Sequence, residues 1–101
     1  MNITVVRRQI KKELIMISNE ISIIFSQRLK KQRLQIGITQ EFLAMELQLT
    51  TSTIWKYENA RRFPRLPGLV SIADYFNISI DYLLGRTDNP VIQNKALLKT
   101  V

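Results

Sequence analysis

Thr51, Ser52, Trp55, Lys56 and Asn59 recur at three- and four-residue spacings, so on a helix they share one face. Two hydroxyls, an indole, an ammonium and an amide can donate and accept hydrogen bonds, offer flat apolar surface and meet negative charge. They suit recognition of a polyanion with hydrogen-bonding edges, and duplex DNA is such a ligand. Ile54, Tyr57 and Glu58 fall on the opposite side and face inward.

A reading face of this kind needs elements to hold it. Thr50 is placed to cap a helix from Thr51 to about Asn59, and Gln48-Leu49-Thr50 breaks the chain before it. Upstream, the Thr39 hydroxyl can cap the free N–H groups of Gln40 to Phe42, and Glu41 suits the positive end of the helix dipole. Leu43, Ala44 and Leu47 then share a face. Leu49 is expected to plug the turn, and Ala44 to sit where the helices cross, small enough for a steep approach. Two short helices on one tight turn, apolar within and polar or basic without, make a device for reading DNA.

Composition excludes much else. The chain has 101 residues, 46% of them apolar, enough for one domain with a modest core. It has neither Cys nor His, which removes disulfides, thiolate chemistry, the usual transition-metal ligands and the commonest acid-base catalyst. The eight carboxylates are scattered and the three glycines isolated, so neither a catalytic pair nor a phosphate loop forms. No enzyme activity, cofactor or small-molecule ligand is expected. No apolar run reaches membrane-spanning length, and the stretch from Leu14 to Phe25 lacks a signal-peptide cleavage site, so a cytoplasmic protein is expected. The formal charge is +7, and residues 26 to 62 carry seven Lys/Arg against three Glu. The basic excess therefore sits on the proposed reading segment.

From Phe25 to Leu84 the chain resembles the helix-turn-helix domain of phage-repressor and Xre-type regulators. The resemblance rests on Arg28-Leu29-Lys30-Lys31-Gln32-Arg33, Thr39-Gln40, Leu43-Ala44, Thr53 to Asn59, Pro64, Leu69, Ile72-Ala73, Phe76 and Ile80 to Gly85. It implies an all-α fold: a five-helix repressor-like domain at 24–85, here joined to an additional N-terminal amphipathic helix at 1–23 and a short tail at 86–101. Gly37 and Gly85 stand where the first and fifth helices should stop, and Asn77 at the bend between the fourth and fifth. Pro64 and Pro67-Gly68 are expected to keep the connection after the third helix non-helical.

The resemblance also implies roles. Thr51, Ser52 and Lys56 match positions that touch base edges, and Lys56 would favour guanine O6 and N7. Trp55 departs from the family's small or polar residue, and two readings stand: an indole packing on the DNA, or one folded back against Phe63. Gln40 matches a phosphate-contacting glutamine; Asn59, Arg61 and Arg62 would hold the backbone on the other side. Arg33 and Glu58 match an ion pair tying the first helix to the third. Gln48 and Ala60 replace frequent glycines, at a cost of about 1 kcal/mol wherever positive φ is required.

Regulators of this type bind double-stranded DNA as two-fold dimers, so a homodimer is expected. The resemblance places the contact at the fifth helix and its flanks, here Ile80, Tyr82 and Leu83 with Val91, Ile92, Leu97 and Leu98. The sequence offers a second surface: Val6, Ile10, Leu14, Ile17, Ile21 and Ile24 form a stripe at spacings of four and three, on a helix interruptible at Ser18-Asn19. It would pack on its own domain, bind a second copy or partner protein, or lie on a membrane surface. The expected function is a sequence-specific repressor. The alternatives are an antitoxin gripping a toxin through its extension, and an interaction module that does not read DNA.

Overall fold

The computed structural model describes residues 2–93, and within them the chain forms five helices and no strand. The first, α1 (Ile3–Ile36), is capped by Asn2, whose side chain accepts from the Thr4 N–H, and ends at Gly37 in the left-handed conformation at φ 75°. No Pro or Gly interrupts it. It is about 51 Å long at 1.5 Å per residue, and the longest dimension of the molecule is 52 Å.

The extension is therefore not a separate helix, and the anticipated break at Ser18-Asn19 does not occur. Ser22 Oγ donates to the Ser18 carbonyl at 3.0 Å and Ser26 Oγ to the Ile23 carbonyl at 2.7 Å. These hydroxyls bond back along the helix instead of drawing the backbone out of it. Burial begins near the expected boundary at 23/24, with Phe25 the first residue of α1 fully enclosed.

Next come α2 (Gln40–Glu46), capped by Thr39 through the Phe42 N–H, and α3 (Thr51–Glu58), capped by Thr50 through the Thr53 N–H. Then follow α4 (Leu66–Phe76), which ends at Asn77 with φ 54°, and the single turn α5 (Ile80–Leu83), capped by Ser79. Pro67 and Gly68 lie inside the first turn of α4 and not in a loop. Proline is tolerated there because its missing N–H would have no helical acceptor anyway.

The core comprises Phe25 and Leu29 of α1, Leu43 and Ala44 of α2, Ile54 and Tyr57 of α3, Leu69, Ile72 and Ala73 of α4, then Ile78, Tyr82 and Leu83. Ala44 is 2% exposed where α2 meets α3. Leu49 does not plug the turn: it remains 36% exposed, and Leu47 packs against the core instead. The turn is held by backbone, the Leu49 N–H donating to the Ala44 carbonyl at 2.8 Å.

The fifth helix departs from expectation most clearly. Tyr82 and Leu83 are buried and Ile80 is half-buried, so Tyr82 and Leu83 are not free to form a dimer contact. A four-residue helix has few apolar side chains, and this one uses them to close the core beside α1 and α4. Arg28 locks it down. Its guanidinium lies 4.3 Å from the centre of the Tyr82 ring, donates to the Tyr82 carbonyl and to that of Thr87 (2.6 Å), and pairs with Asp88 at 2.8 Å. Val91 is exposed and Ile92 half-buried; Leu97 and Leu98 lie outside the described residues.

Candidate nucleic-acid interface

The reading face begins at Thr50, which accepts the Thr53 N–H at 3.1 Å and shares a 2.8 Å hydrogen bond with the Thr53 hydroxyl. This fixes the first turn of α3. Thr51 and Ser52 are exposed, Trp55 is 47% exposed, and Lys56 is half-buried. Ile54, Tyr57 and Glu58 are buried on the other side. The helix thus presents hydroxyls, indole and ammonium outward from a fixed frame. Phe63 packs on Phe25 with ring centroids 5.0 Å apart.

The frame depends on charge as well as packing. Arg33 Nε and Nη2 donate to the two carboxylate oxygens of Glu58 at 2.6 and 2.9 Å, and Arg33 Nη1 donates to the Ile38 carbonyl at 2.8 Å. Both side chains are nearly enclosed. The hydrogen bonds to Glu58 raise the Arg33 pKa above its ordinary value, overcoming desolvation, which acts in the opposite direction. Among the described residues, no buried side-chain nitrogen or oxygen lacks a hydrogen-bond partner.

The four residues expected at phosphates divide into two kinds. Gln40 Nε2 donates to Glu58 Oε1 at 3.0 Å, and Asn59 Nδ2 donates to the Trp55 carbonyl at 2.8 Å. Each amide thus spends one donor inside the protein, keeping a second N–H and its oxygen. Gln40 also lines a shallow cleft with Arg33, Thr39, Glu41 and Thr51, between the first turns of α2 and α3. Arg61 and Arg62 have exposed side chains, and their backbone N–H groups both reach the Lys56 carbonyl, at 2.8 and 3.3 Å. Ala60 makes that tight turn possible at φ 55°, as Gln48 does between α2 and α3 at φ 57°. Both glycine replacements therefore occupy the left-handed region.

Sequence reasoning missed Arg65. It sits at the N-cap of α4 and lines a cleft with Arg62, Phe63 and Tyr57. Its position just after Pro64, three residues beyond Arg62, was the available signal. It also missed the Arg28 clasp, whose partners lie 54 to 60 residues away.

A short capped α2, a tight turn and an α3 with one buried and one open face define a helix-turn-helix protein. A family model described as Helix-turn-helix matches residues 29–83, and the chain belongs to that family. Similar proteins include the uncharacterized HTH-type transcriptional regulators YobD and YqaE of Bacillus subtilis. YobD is 36% identical over 67 residues, 66% of this chain and 60% of that protein. YqaE is 36% identical over 74 residues, 72% of this chain and 64% of that protein. The cryptic phage CTXphi transcriptional repressor RstR of Vibrio cholerae is 42% identical over 60 residues, 59% of this chain and 54% of that protein. The chain thus spans about three fifths of the first two relatives' lengths. No helix among the described residues is long and apolar enough to cross a membrane.

Proposed function

We propose that this protein is a cytoplasmic transcription regulator, a repressor that binds a specific double-stranded operator as a homodimer. The observation that carries the reading is the two-sidedness of α3, which buries Ile54, Tyr57 and Glu58 and leaves Thr51, Ser52 and Trp55 open beside Lys56. Those side chains enter the major groove and read base edges, while Gln40, Arg61 and Arg62 meet phosphates on either side. Repression is the reading favoured by the relative RstR, which is named a transcriptional repressor. A single such module makes few base contacts, so two copies on an inverted repeat supply the specificity.

The test is selection of bound duplexes from a random pool at near-physiological salt, followed by sequencing. The expected product is an inverted repeat with half-site centres about ten base pairs apart. A pool that stays unenriched with folded protein present would overturn the reading. It would leave the protein-interaction alternative, in which α1 rather than α3 carries the function.

A further inference from the structure

Residues 3 to 20 of α1 stand outside the packing of the domain: all are exposed except half-buried Val6. Part of their apolar set is ordered in heptads, while Val5, Val6, Ile15 and Met16 lie off it. Ile3, Ile10, Ile17 and Ile24 recur every seven residues, and Leu14 and Ile21 fall four residues after Ile10 and Ile17. Alternating steps of four and three average 3.5 residues, the repeat of a left-handed coiled-coil seam. The last member, Ile24, is already engaged within its own chain, packed so closely on Gly85 that a Cβ there would lie 2.8 Å from Ile24 Cδ1. Of the others, Ile3, Ile10, Leu14 and Ile17 are each at least half exposed, and Ile21 is half-buried. From Ile3 to Ile21 the seam runs about 27 Å at 1.5 Å per residue, interrupted at Arg7, and exposed apolar residues grouped in this way mark an interaction surface.

The flanks of the seam indicate its occupant. Lys11 borders it on one side, Glu13 and Glu20 on the other. In a parallel pair of identical helices each flank lies beside the opposite flank of the second copy, so the carboxylates do not meet their own counterparts. In an antiparallel pair each flank meets itself, Glu against Glu and Lys against Lys. Parallel pairing also leaves the two domains at the same end of the coil, related by the two-fold axis that an inverted repeat demands. Arg7, Leu14 and Ile21 take the heptad a positions and Ile3, Ile10 and Ile17 the d positions. Ile at d by itself favours more than two strands; Arg7 at a, whose long stem covers apolar surface while its charge must reach water, opposes that and holds the count at two.

We infer that residues 3–21 of α1 pair with the same segment of a second copy of this chain, as a parallel two-stranded coiled coil. This deepens the dimer reading given above but is tested without DNA, so its failure is distinct from failure of operator recognition.

Sedimentation equilibrium of the full chain should give twice its 11.8 kDa mass. Leu14→Asp with Ile17→Asp should halve that mass while the domain still unfolds cooperatively, because neither residue is buried in it. The chain has no cysteine, so Ile3→Cys introduces a single thiol. Mild oxidation should link it to its counterpart as a covalent dimer in the parallel pair. In an antiparallel pair the two thiols stand about 27 Å apart and stay unlinked. A monomeric wild type would overturn the proposal, meaning that a different protein or nothing covers the seam. So would a dimer indifferent to the aspartates, a trimer or tetramer, or a dimer that the aspartates dissolve but oxidation does not link.

Discussion

Lys56 and Arg61 both carry positive charge on the candidate DNA face, yet their surroundings assign them different work. The Lys56 stem is half-buried on a helix that Thr50 and Glu58 hold in place, so its ammonium has a defined direction. Arg61 projects from the turn after α3, exposed and directed by backbone hydrogen bonds alone. Fixed direction suits base readout and mobile charge suits phosphate contact. Lys56→Ala should therefore change the preferred base at one position of each half-site, at about 1–3 kcal/mol. Arg61→Ala should weaken all sequences alike and lower the salt slope by about one per protomer. Titrations over a set of operator variants at several salt concentrations separate the two, and identical behaviour would show the role assignment to be wrong. Gln40 is a poorer probe, because removing its amide also takes a hydrogen bond from Glu58.

The turns around α3 carry a cost that two substitutions can measure. Gln48 and Ala60 both hold positive φ, at 57° and 55°, a conformation costing roughly 1–2 kcal/mol for a residue with a Cβ. Glycine relieves that cost but orders a freer chain on folding, which returns about 0.5–1 kcal/mol. Gln48→Gly and Ala60→Gly should each raise the unfolding free energy by up to about 1 kcal/mol, read from urea denaturation. A loss at either site would show that its side chain contributes more than the turn costs. The caps at Thr39, Thr50, Gly37 and Asn77 were legible in sequence because capping depends on residues three or four apart. The continuity of α1 was not, since Ser18-Asn19 resembles a breaker until Ser22 is seen bonding back to the Ser18 carbonyl. The orientation of α5 was hidden for another reason: four residues carry too little periodicity to show which side is buried. Of the candidate site, the helical period disclosed the outward face of α3. The internal hydrogen bonds of Gln40 and Asn59 depend on contacts across the turn that spacing alone does not reveal.

At the scale of the molecule, one ion pair joins the elements that make the interface. Arg33 of α1 reaches Glu58 of α3 and the Ile38 carbonyl before α2, and Gln40 of α2 reaches the same carboxylate. Three helices therefore meet at one nearly enclosed charge pair, where removing a partner strands the other. Glu58→Gln keeps the shape of the side chain but removes the negative charge, leaving Arg33 charged and enclosed. The expected loss is about 3–5 kcal/mol, more than about 10 °C in Tm for a domain of this size. Because the pair raises the Arg33 pKa, its contribution is complete below the unfolded value and disappears only as pH rises through the folded one. Both values lie beyond the mildly alkaline range, so titration of Arg33 adds no slope to stability at neutral pH. Thermal unfolding of wild type and Glu58→Gln, in neutral and mildly alkaline buffers, should thus show a large gap that Arg33 titration leaves unchanged. A loss below about 1 kcal/mol would place the pair in water, where exposed ion pairs contribute little. The frame behind α3 would then rest on the apolar packing of Leu43, Ala44 and Ile54 alone.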